Sequence, residues 1–163
     1  MAVLVPEETA LLRLLLATLA YRGGRCLRDA PESYVHFDTG NGKTTPLTIL
    51  AHLGDLFDWT YSMMLGEGRW PTTTPTDWAG ESARFHACLE KLDRHLASGA
   101  PVQGEVARYV HGPLADALTH VGQLAILRRM AGCPLPGESF FAADIQIGRV
   151  GADQAPPVKP FRK

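Results

Sequence analysis

A chain of 163 residues has room for one domain with a sizeable core, and not for two. Its 45% hydrophobic and 20% charged content is that of an ordinary soluble globular protein, and a formal net charge of -1 argues against nucleic acid as the main partner. The three cysteines, Cys26, Cys88 and Cys133, are far apart and include no CxxC pair, which fits reduced thiols in a cytoplasm better than a disulfide framework.

The first helical pattern begins at Pro6, a residue pre-set for a first helical turn, with Glu7 and Glu8 at the positive end of the dipole. Leu11, Leu15 and Leu19, with Leu12 and Leu16 beside them, form its apolar stripe, and Gly23-Gly24 either ends or weakens it. The run LLRLLLATLA follows two glutamates, contains Arg13 and is too short to span a bilayer, so neither an export signal nor a membrane span is expected. Residues 31 to 44 are turn-rich and read as a loop.

The second helix is predicted to start at Thr45-Pro46, an N-cap followed by proline, and to run to Gly66. A Gly, Pro and Thr connection from Gly68 to Pro75 follows. The third helix opens at Thr74-Pro75, with Asp77 in its first turn. It buries Trp78, Phe85, Leu89, Leu92 and Leu96, and stops at Ser98-Gly99. Residues 101 to 110 alternate in a way that suits an extended segment. The fourth helix opens at Gly112-Pro113 and runs through Ala131. Helices of about 20 residues are about 30 Å long, so a four-helix bundle is the economical all-α architecture. Residues 137 to 163 form a C-terminal extension, with a short helix in SFFAADIQI and a proline-rich tail, APPVKPF.

Periodicity sorts the six histidines. His52 lies within about 60 degrees of Ile49, Leu56 and Trp59 and points inward. His120 shares a face with Asp116, Leu124 and Leu127, and the spacing of four from Asp116 stacks carboxylate and imidazole together. His86 and His95 fall off the third helix's stripe, toward solvent, while His36 and His111 sit in loops or at a helix start. Two inward histidines and a carboxylate need compensation, which either a hydrogen-bonded polar cluster or a metal ion supplies. Asp58 reads as a surface acid. Gln123 lies about 60 degrees from His120, placed to orient a ligand or to bond across to another helix. Arg128 and Arg129 suit the negative end of a helix dipole. The GNGK run lacks P-loop spacing, and no GxSxG motif points to a serine hydrolase.

Two stretches, TPLTILAHLGDLFDW around His52 and DALTHVGQLAILRRMAGCPLP around His120, resemble the DinB-like (DinB/YfiT-like) superfamily of bacterial four-helix-bundle proteins, which are described as metalloenzymes. The family pattern sets a histidine early in helix two and His-x-x-x-His on helix four, followed by x-Gly-Gln-Leu, Leu-Arg and a Gly-x-Pro-x-Pro-like exit. His52, His120, Val121-Gly122-Gln123-Leu124, Leu127-Arg128, Gly132, Pro134 and Pro136 match it, across about residues 6 to 136. Asp116 stands where the family commonly has the first histidine.

The resemblance implies a divalent metal ion, Zn, Ni or Fe, held by His52, Asp116 and His120; beside them, helix position makes Gln123 and Asp55 the candidate outer partners of the ligands. Two imidazoles and a carboxylate with open positions are competent for any of these metals. The resemblance also implies a low-molecular-weight thiol as cosubstrate in an S-transferase and a homodimer; on this reading the substrate is a small molecule, and Tyr34, His36 and Phe140 are placed at the entrance. The alternatives are a metal-dependent hydrolase, and a non-catalytic bundle that binds a ligand or partner through a degenerate site.

Overall fold

The computed structural model describes residues 3–40 and 44–161. Residues 41–43, most of the GNGK run, lie outside the described residues. The chain is all-helical, and among the described residues no strand forms; an isolated antiparallel bridge joins Glu138 and Pro160. None of the described helices is long and apolar enough to cross a membrane.

Helix α1 spans Pro6–Leu27, with Pro6 in its first turn and the Val5 N–H donating to Glu8 Oε2 at 3.2 Å. Its core face is Leu12, Leu16, Leu19 and Ala20, whereas Leu11 is 47% exposed. The run LLRLLL offers two overlapping i, i+4 series, and packing buries Leu12 and Leu16 of the second while Leu15 is only partly buried. The helix continues through Gly23-Gly24 because Gly23 lies where α1 meets α4. A Cβ at Gly23 would stand 2.4 Å from the Phe85 ring.

A four-residue helix, α2 (Glu32–Val35), interrupts the expected loop. Helix α3 (Pro46–Met64) is capped as the sequence predicts: the Thr45 hydroxyl accepts from the Thr48 N–H at 3.3 Å, and the Thr48 hydroxyl accepts from the Thr45 N–H at 2.9 Å. Helix α4 (Trp78–Ala97) starts later than Thr74-Pro75 predicts, because Asp77 is the cap, its Oδ1 accepting from the Gly80 N–H at 2.7 Å. Residues 101 to 110 are not extended. They contain α5 (Val106–Tyr109), which enters a π-helical turn, Val110–Leu114, where Pro113 supplies no N–H and Gly112 leaves helical geometry at φ −87, ψ −108. Helix α6 then runs Ala115–Met130.

Each of the long helices packs on two others, in the cyclic order α1, α4, α3, α6, around one apolar core. Arg128, which the dipole alone would explain, is buried instead, and donates to the carbonyls of Cys26, Arg28, Asp29 and Cys133 at 2.8 to 3.2 Å. It ties the end of α6 to the unpaired carbonyls at the end of α1. The cysteines are free thiols, and burial pushes the Cys26 thiol up to about 11 and the Cys88 thiol up to about 12.

The C-terminal extension folds back onto α1 and α4. Its expected short helix is a single 3-10 turn, Phe140–Ala142. Glu138 is buried, accepts from the Tyr21 hydroxyl at 2.8 Å and pairs with Arg25 at 2.7 Å. His86, expected in solvent, is buried beneath this segment with Nδ1 3.3 Å from the Val150 carbonyl. Periodicity along α4 missed it because the cover comes from more than sixty residues later in the chain. His95 is half-buried against the Tyr61 ring, with centroids 5.5 Å apart.

Two expectations follow. Gly23→Ala forces a methyl against the fully buried Phe85 and lowers stability by about 1–3 kcal/mol. Gly122→Ala, where a Cβ meets open space on the exposed face of α6, raises it by about 0.5–1 kcal/mol. Urea unfolding of both variants checks the opposite signs. Burial holds the His86 imidazole below its ordinary 6.5 against the opposing Val150 carbonyl and Glu90. The unfolded chain then binds the extra proton, so stability is full above about pH 6.5 and falls as pH drops toward the folded value. The pH dependence of Tm measures this, and His86→Gln flattens it over that window.

Candidate metal centre

His52 sits on α3 seven residues after the Thr45 cap, and Asp116 and His120 sit one turn apart on α6. Packing of α3 on α6 brings one ligand atom from each within 4.8 Å of the others. The two imidazole rings are 4.6 Å apart and nearly perpendicular at 77°, and His120 Nε2 lies 3.5 Å from Asp116 Oδ1. The convergence expected of these three residues is present.

Its depth differs from the expectation. His52 and His120 are half-buried, while the Asp116 side chain is 51% exposed. The core face of α6 is Ala117, Val121, Leu124 and Leu127, so Asp116 and His120 flank that face instead of occupying it. The cluster forms the rim of a groove, where the carboxylate keeps its hydration and open coordination positions face solvent.

The Gln123 amide oxygen lies 2.8 Å from His120 Nδ1. With the Nδ1 proton taken up there, Nε2 presents its lone pair toward the Asp116 carboxylate. Two facing lone pairs call for a cation between them, either a proton on the imidazole or a metal ion. Burial, followed by the nearby His120, holds the His52 imidazole below its ordinary value, and Asp116 and Asp55 oppose this. A neutral imidazole is the ligating form. The donor set, its spacing and the Gln123 contact therefore fit a divalent cation, and the His-Asp-His group could hold one.

Other expected site residues lie elsewhere. Asp55 does not bond a ligand: it turns toward α4, accepting from Arg84 at 2.6 Å and from the Thr73 hydroxyl, and reaches His52 only through its charge. Asp58 is partly buried beside it, paired with Arg84 at 3.0 Å and Lys91 at 3.3 Å. Tyr34 is fully buried, donating to the Leu124 carbonyl at 3.1 Å and packed edge-on to Trp78, so it supports α6 from beneath and borders no entrance. His36 is exposed, 3.6 Å from Glu32. Phe140 lies under the Arg22 guanidinium at 4.0 Å and against Tyr21, on α1.

The recess at the triad, about 310 Å³, is instead lined by Thr44, Thr48, Ile49 and Gln123 with the two histidines. Thr48 was within reach of sequence reasoning, one helical turn before His52. Trp70, whose ring lies 5.7 Å from His52, was not, because it comes from the irregular connection between α3 and α4. Comparisons of the chain with protein-family models, with curated proteins and with solved structures return no match.

If Gln123 fixes the His120 tautomer, Gln123→Leu weakens Zn²⁺ binding about 10–100-fold while leaving the circular dichroism spectrum unchanged. Competition titration against a chromophoric chelator measures it, and an unchanged affinity removes Gln123 from the site.

Proposed function

We propose that the chain is a metal-dependent enzyme with the four-helix-bundle plan of the DinB-like class, acting as a low-molecular-weight-thiol S-transferase. The observation that carries the metal reading is the convergence of His52, Asp116 and His120 within 4.8 Å. A divalent cation there, Zn, Ni or Fe(II), supplies positive charge that favours the thiolate form of a thiol cosubstrate.

The protein's own part is positioning. His52 and His120 offer neutral nitrogen donors from helices fixed by the common core. Gln123 holds the His120 ring in the orientation that directs Nε2 at the cluster. Asp116 brings the one negative charge of the set and stands on the solvent side, where a small molecule arrives. Thr48 and Ile49 wall the recess on the α3 side. A small-molecule electrophile as substrate, a homodimer and a cytoplasmic setting belong to this same reading.

One observation favours a second reading. His120 already has Asp116 on one nitrogen, at 3.5 Å, and Gln123 on the other, at 2.8 Å, so both of its ring nitrogens have protein partners with no metal at all. The protein would then be a binding bundle without turnover.

Metal analysis of protein purified without a histidine tag separates the two. The enzyme reading expects stoichiometric metal that His120→Ala and Asp116→Ala both remove. Sub-stoichiometric metal that His120→Ala leaves unchanged overturns it. Consumption of a small electrophile with and without added thiol then distinguishes transfer from metal-assisted hydrolysis.

A further inference from the structure

The cleft beside the triad, between α3 and the α5 to α6 junction, has no part in the ligand set. We infer that it is a binding subsite for the uncharged aromatic body of a ligand whose head group reaches His52, Asp116 and His120. Only the head-group end of this inference rests on the metal reading above.

The register places the cleft. On α3, His52, Trp59 and Met63 fall along one stripe, because seven residues complete nearly two helical turns. Across from them, Asp116 lies one turn beyond Gly112 and Pro113. Trp59, Met63, Tyr109, Gly112 and Pro113 line a cleft of about 740 Å³, of the size that small-molecule sites occupy. On α3 the nearest cleft residue, Trp59, therefore lies about 10 Å along the helix axis from His52, at 1.5 Å per residue. The wide π turn keeps the Gly112 side open, since a Cβ on Gly112 would meet nothing within 4 Å.

Trp70 joins the cleft to the triad. Its ring lies 5.7 Å from His52 on one side and 5.4 Å from Trp59 on the other, inclined at 61° to the latter. Trp70 is 44% exposed and Trp59 only half-buried, so flat apolar faces stand in solvent between the triad and the cleft. Such faces gain by covering with another ring. Of the polar residues on the rim, Glu105 and Arg108 carry opposite charges 4.0 Å apart that offset each other, beside Gln103 and His111. An anion or a cation gains little there, while a neutral planar group gains both indoles.

The protein carries its own control. Of the three tryptophans, Trp78 lies away from the cleft with its Nε1–H donated to the Leu27 carbonyl. Chelator-treated full-length protein is titrated with 2-naphthol while the three indole N–H resonances are followed in ¹H–¹⁵N spectra. Saturable shifts of Trp59 and Trp70 with one dissociation constant, and a static Trp78, are expected. Trp59→Ala, or Trp70→Ala on the exposed connection, weakens binding about three- to tenfold, with the Trp78 resonance reporting that the fold is kept. Absence of shifts at the solubility limit, or an equal shift of Trp78, overturns the inference.

In zinc-loaded protein, 2-naphthylmethanethiol binds at least about tenfold more tightly than 2-naphthylmethanol if the cleft and the triad share one ligand. Equal affinities in protein that has taken up zinc overturn the link. Protein that takes up no zinc sinks the metal reading instead, and the 2-naphthol titration still decides the cleft.

Discussion

The candidate metal centre depends on one packing contact, that of α6 on α3 in the register that sets His52 opposite His120. The two helices run in opposite directions, so His52 meets His120 at one end while Trp59 and Met63 meet Gly112 and Pro113 further along. A slip of a single turn, about 5.4 Å, would separate the imidazoles. Several restraints fix the register. Ala117, Val121 and Leu124 key α6 into the core, the Tyr34 hydroxyl holds the Leu124 carbonyl, and Arg128 binds the end of α6 to the end of α1. These supports touch neither histidine, yet the distance between the rings follows from them.

The polar clusters of the fold divide by how they are satisfied. Glu138 with Tyr21 and Arg25, and Arg84 with Asp55 and Asp58, are opposite charges or donor and acceptor pairs that complete one another. They fasten segments together, and nothing further is required of them. The triad is different, for it is made of groups that ligate through lone pairs, with Gln123 occupying the outer nitrogen of His120. Its place on the groove rim spares the carboxylate a desolvation penalty that would otherwise run to several kcal/mol.

Much of the scaffold was legible in the chain. Pro6, the Thr45-Pro46 pair and the Phe85, Leu89, Leu92, Leu96 stripe mark helices because caps and 3.6-residue periodicity are local properties of sequence. The spacing of Asp116 and His120 guarantees that they share a face wherever that helix lies. The Gln123 contact was legible for the same reason, at a spacing of three. Tyr34, Phe140 and Asp55 lie away from the triad because their positions depend on what packs against them. Tyr34 was drawn inward by a short helix, and Phe140 was carried to α1 by the returning C-terminal segment.

The sequence by itself determined the four long helices, the Thr45 cap and the pairs of residues a turn apart, since each is fixed by backbone geometry over a few residues. Tertiary structure alone decided that His52 faces His120, that Asp116 lies at the rim, that His86 is covered and that Trp70 stands beside the triad. Those facts depend on which helices become neighbours and in what register. That choice is made by the fit of whole surfaces, Gly23 against Phe85 among them, and no local pattern encodes it.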